Sequence, residues 1–240
     1  MTVRIFCFPH AGGSASAFRS WCGLVPPQAE LVAVQYPGRE NRFVEPLVDR
    51  MPDLVAQFLD ELDLTGSFVL LGHSMGAAVA YELAQELRRR GREGPQRLVA
   101  CARQAPTDLR PGQVHRGDDE TLVAELRRLG GTHPEVLADP DLRRTVLDIV
   151  RNDYRLAETY APRPAPPLDC PVSVFVADAD PECSAADAAG WAGMTTGPTE
   201  VQVFPGDHFF LVPQRRRVVA ALMSALDLPT AAATAWPSTP

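Results

Sequence analysis

The chain has 240 residues, 45% hydrophobic and 22% charged, enough to bury a substantial core in one large domain or two small ones without disulfide or metal staples. Its formal charge of −7 argues against general nucleic-acid binding, which needs a basic face to displace counterions from phosphate. The five cysteines form no CxxC pair, so neither a zinc centre nor a disulfide framework is expected.

Met1 leads straight into a strand-like segment, without the basic start and long apolar stretch of a secretory signal, and no apolar run approaches the roughly 20 residues of a bilayer span. A cytoplasmic protein without a membrane anchor is expected. Short apolar runs then alternate with segments of helical spacing. Strands are predicted at Val3 to Phe8, Leu31 to Gln35, Ser67 to Leu71, Arg97 to Cys101, Val172 to Ala177 and Glu200 to Phe204. Between them, Met51 to Leu62 carries its apolar residues on one helical face, and Met75 to Arg90 ends in an arginine run followed by Gly91. This alternation is the pattern of βαβ units, and near-continuous apolar strands fit a mostly parallel sheet covered by helices on both faces.

The alternation breaks between Asp108 and Ala165, where 20 of 58 residues are charged and no strand is evident. This stretch reads as a helical insertion, residues 108–165, dividing a core made of residues 1–107 and 166–228. One helix is marked by Leu122, Val123, Leu126 and Leu129, and a longer one by Leu142, Val146, Ile149, Val150, Tyr154 and Ala157. Four prolines between Pro162 and Pro167 lead back to the sheet as a stiff linker, and residues 229–240, rich in Ala, Thr and Pro, are expected to be a disordered tail.

The chemistry concentrates at Gly72-His73-Ser74-Met75-Gly76, a G-x-S-x-G between a strand and a helix. A serine at that turn is held in a strained backbone with its hydroxyl above the sheet, which makes Ser74 the candidate nucleophile. The order serine, acid, histidine then points to His208, in the turn-rich loop after the last strand and before a C-terminal helix, as the base. Asp180, beyond the fifth strand, is the acid that orients it, with Asp178 a turn former and Asp207 too close in sequence to reach the ring. His73 and His10 are read as structural, and His115 and His133 as solvated. The backbone N–H groups of Met75 and Ala11 are the candidate oxyanion hole. The Gly-rich Pro9 to Ser14 loop contains no phosphate-binding signature.

Four runs together resemble the external, type II thioesterases of polyketide and nonribosomal peptide synthases and the related medium-chain thioesterase of fatty-acid synthesis. They are Phe8-Pro-His-Ala-Gly-Gly-Ser-Ala-Ser-Ala-Phe18, Val34-Gln-Tyr-Pro-Gly-Arg-Glu-Asn-Arg42, Gly72-His-Ser-Met-Gly-Ala77 and Gly206-Asp-His-Phe-Phe210. The Gln-Tyr-Pro-Gly-Arg run is the most discriminating. The resemblance implies an α/β-hydrolase fold, no cofactor, and hydrolysis of acyl groups from the phosphopantetheine arm of an acyl- or peptidyl-carrier protein, with the insertion as a lid. Leu126 and Val150 are then expected to line the acyl channel, and Arg39 and Arg42 to dock the carrier, with a monomer favoured. Two departures stand out: Cys101-Ala102 replaces the usual Ser-Gly pair before Ala105-Pro106, and Ala177 stands where glycine is common. A carboxylesterase, a free acyl-CoA hydrolase, a releasing or cyclising thioesterase and a non-catalytic carrier-binding protein are the rival readings.

Overall fold

A computed structural model describes residues 2–109 and 112–230. The sheet has six parallel strands, β1 (Val3–Phe8), β2 (Ala29–Ala33), β3 (Phe68–His73), β4 (Arg97–Cys101), β5 (Val172–Ala177) and β6 (Thr199–Phe204), in the order β2-β1-β3-β4-β5-β6. Alternate residues of the central strands feed two cores. Phe6, Phe8 and Leu70 pack with α1 (Met51–Glu61) and α2 (Met75–Arg89) on one face. Ile5, Cys7 and Leu71 pack on the other with Phe18, Trp21 and α7 (Arg215–Ala225). Burial on both faces explains the near-continuous apolar strands. The outer strand β6 departs from it, leaving Val201 and Val203 exposed at the sheet edge.

The strand starts differ from expectation at β2, whose ladder with β1 runs from Ala29 to Ala33. Gln35 lies beyond it, past the Val34 N–H bond to the Cys7 carbonyl (2.9 Å), and its side chain accepts the Ala15 N–H (2.9 Å). Between β4 and β5 the chain leaves the sheet and forms α3 (Asp119–Leu129), α4 (Pro134–Ala138) and α5 (Pro140–Glu158); α4 is too short to show a periodic pattern. Asp118 and Asp139 cap α3 and α5 by accepting backbone N–H groups of their first turns. Leu122, Val123, Leu126, Leu137, Leu147 and Val150 form a separate small core between these helices. Leu142 is exposed instead of joining it. A short helix α6 (Ala185–Ala188) follows β5. Of the expected tail, residues 231–240 lie outside the described residues.

Candidate active site

The site begins at the carboxyl end of β3. Ser74 adopts φ 54°, ψ −115°, a left-handed conformation that side chains disfavour, and its N–H donates to the Cys101 carbonyl (2.8 Å). Two glycines allow this turn. A Cβ on Gly72 would lie 2.1 Å from the Gly76 carbonyl oxygen, and one on Gly76 would lie 2.1 Å from that of Phe8. The G-x-S-x-G spacing is thus dictated by backbone crossing at the elbow. Met75 starts α2, so its N–H has no acceptor in the preceding turn.

The loop after β6 carries His208, whose Nδ1 lies 3.0 Å from both carboxylate oxygens of Asp180. Both side chains are buried, and Asp180 also accepts the Glu182 N–H (2.8 Å). This pairing places the proton on Nδ1 and leaves Nε2 as the basic nitrogen. Asp178 does a different job: its Oδ1 accepts the Gly206 N–H (3.0 Å), fastening the acid's loop to the histidine's. His73 Nε2 donates to the His208 carbonyl (2.8 Å), a contact that ties the elbow to the same loop. Ser74, His208, Met75 and Ala11 all line one cavity of about 630 Å³. Neither the Ala11 nor the Met75 N–H reaches a protein acceptor among the described residues.

Several expected roles need correction. Leu126 and Val150 are buried in the insertion's own core and do not line the cavity; Leu129, Tyr154, Ala157 and Tyr160 do. A helix stripe reveals which face is buried, not which neighbour covers it. Arg39 cannot dock a partner, because it is 4% exposed and bound to Asp153. Arg42 is neutralised by Glu45 and Glu61. His115 is not solvated either: its Nδ1 meets Glu158 at 2.5 Å, and both side chains are 11% exposed. Sequence reasoning missed Arg103, which lines the cavity beside Ser74 with no carboxylate partner among the described residues. It also missed the strain at Ala102, whose φ of 54° is a backbone conformation glycine adopts freely. The departure from Ser-Gly therefore places a methyl group where the turn favours none.

The histidine pair beneath the site gives a pH signature. Burial, with His208 and Arg39 nearby, pushes His10 down to about 3, and its Nδ1 is buried without a hydrogen-bond partner among the described residues. Burial, with His10 and His208 nearby, also pushes His73 well below the ordinary range. Both protonate near 6.5 when unfolded but stay neutral when folded, so the unfolded chain binds more protons as pH falls below 6.5. Stability is expected to be full above that value and to drop by up to about 1.4 kcal/mol per pH unit for each histidine. Thermal unfolding between pH 7 and 5, above the carboxylate range, should show a falling Tm and a shallower slope in His10→Gln. An equal slope in that variant would remove His10 from the account.

The chain matches the thioesterase domain family over residues 3–226. It belongs to that family. It is 41% identical over 227 residues to a probable cadicidin biosynthesis thioesterase of Streptomyces griseus, a match covering 93% of this chain and 62% of that protein. Its fold is similar to the RedJ thioesterase of the prodiginine biosynthetic pathway in Streptomyces coelicolor (TM-score 0.88, 38% identity, 92% of this chain and 89% of that one). The type II thioesterase BorB of the borrelidin biosynthetic cluster is similar too (TM-score 0.84, 35% identity, 96% and 93% coverage). These likenesses give the six-stranded sheet an α/β-hydrolase thioesterase architecture.

Proposed function

We propose that this thioesterase hydrolyses acyl groups from the phosphopantetheine arm of a carrier protein, clearing a polyketide or nonribosomal peptide synthase in the cytoplasm. The observation that carries the mechanism is the convergence of Ser74, the Asp180-paired His208 and two unpartnered N–H groups on one cavity. Ser74 Oγ attacks the thioester carbonyl while His208 Nε2 takes its proton. The Met75 and Ala11 N–H groups receive the developing oxyanion, where fixed donors act most strongly. His208 then returns the proton to the departing pantetheine sulfur. Water, deprotonated by the same nitrogen, releases the acid from the acyl-enzyme. No hydrogen bond joins Ser74 to His208 among the described contacts, so that contact has to form before the proton is transferred.

The insertion acts as a lid in this reading. Leu129, Tyr154 and Ala157 give the cavity an apolar wall, and Arg103 offers guanidinium donors for the carbonyls and phosphate of the arm. Among the described residues no helix is long and apolar enough to cross a membrane. Carrier proteins loaded with a panel of acyl groups, weighed intact before and after exposure, test the proposal. The expected result is mass loss equal to the acyl group, with faster turnover than on the matching acyl-CoA or oxygen ester. Equal or faster turnover of the oxygen ester would favour an esterase. A cyclised product in place of the free acid would favour product release.

A further inference from the structure

We propose that the buried Arg39–Asp153 ion pair is a positioning device for the oxyanion-hole loop, through which helix α5 of the insertion sets the Ala11 N–H against Ser74. Arg39 and Asp153 are 114 residues apart and meet in a bidentate pair, Nη1 to Oδ2 at 2.6 Å and Nη2 to Oδ1 at 2.8 Å, with side chains 5% and 2% exposed. The same Oδ2 accepts the Gly12 N–H at 2.8 Å, and Arg39 Nη1 donates to the Gly13 carbonyl at 3.0 Å. The pair thus holds the loop at two points just after Ala11, the Gly12 N–H and the Gly13 carbonyl. Before Ala11, Tyr36 Oη donates to the Pro9 carbonyl (2.9 Å), and farther along the loop Gln35 Oε1 accepts the Ala15 N–H (2.9 Å). The Ala11 N–H is left without a protein acceptor inside a loop fastened before and after it.

Two further observations point to geometry as the purpose. Gly12 sits at φ 78°, and a Cβ there would lie 2.8 Å from Val150 Cγ2 of α5, so the helix presses directly on the loop. A buried ion pair contributes little net stability over apolar residues of equal volume, whereas a bidentate guanidinium–carboxylate pair fixes orientation closely. Lysine cannot reproduce that fork. The Gln35-Tyr36-Pro37-Gly38-Arg39 run then has a mechanical meaning: three of its side chains hold the loop that makes the oxyanion hole.

The inference rests on the proposed roles of Ser74 and Ala11, and a trifluoromethyl ketone acyl analogue tests it because its hemiketal oxyanion occupies the hole. In Asp153→Asn and Arg39→Lys, kcat is expected to fall about 10- to 100-fold with KM within twofold, and ketone affinity to fall by a similar factor. Binding of an intact acyl-carrier, measured in the Ser74→Ala background, should stay unchanged when Asp153→Asn is added. The double variant Arg39→Met/Asp153→Leu keeps the volume, leaves no unpaired charge and should show the same loss. Wild-type ketone affinity in any of these variants, or a parallel loss of ground-state binding, overturns the inference. Failure of the wild-type protein to form the hemiketal at Ser74 would overturn the nucleophile assignment and this inference together. A wild-type hemiketal with undiminished affinity in the variants removes this inference alone.

Discussion

Ser74→Ala is expected to lower thioester hydrolysis by about four to six orders of magnitude, because removing one member of a unit that acts together forfeits most of the effect of the whole. The fold should tolerate the change. Alanine carries the same Cβ at φ 54°, so backbone strain is unaltered, and the Ser74 hydroxyl makes no hydrogen bond among the described contacts whose loss would orphan a partner. Tm should therefore stay within the range of a neutral surface change. A fluorophosphonate should add its mass to the wild-type chain at Ser74 and add nothing to the variant. Persistent turnover in protein free of wild-type contamination would remove Ser74 from the mechanism, and labelling at another residue would name its replacement.

The readable parts of this fold are those whose signal is local. Apolar runs mark the four inner strands because these are buried on both faces, and the elbow is legible because a tight strand-to-helix turn demands glycine on either side of the serine, at Gly72 against the Gly76 carbonyl and at Gly76 against that of Phe8. The paired Asp180 and His208 could be located from chain order and loop position, since both lie just past strand ends on one edge of the sheet. Non-local partners left no such trace. Nothing near Arg39 in the sequence announces Asp153, so an arginine in a Pro-Gly-Arg loop reads as a surface charge until α5 is in place. Leu126 and Val150 show the same limit. Their spacing reveals an apolar face, but whether the cavity or the neighbouring helices cover it depends on how α3 and α5 cross. Ala102 hides its left-handed backbone behind an ordinary side chain, and only the glycine expected there by family resemblance hinted at it.

The two carboxylates after β5 should separate sharply on substitution by asparagine. In Asp180→Asn the carboxylate that receives the His208 Nδ1 proton becomes an amide, which can present an N–H to the ring and favour the tautomer with the proton on Nε2. That nitrogen could no longer take the serine proton. A loss of about 10²- to 10⁴-fold in kcat is expected, with little change in KM because the cavity keeps its shape. His208→Ala should be at least as severe. In Asp178→Asn, by contrast, the amide oxygen can still accept the Gly206 N–H, so the link between the two loops survives the loss of charge. Its turnover should remain within about threefold of wild type. Steady-state kinetics on one acyl-carrier substrate decide the matter: the reverse ranking would move the acid to Asp178, and equal losses would mean that the loops' mutual anchoring, not the Asp180–His208 pair alone, sets the base.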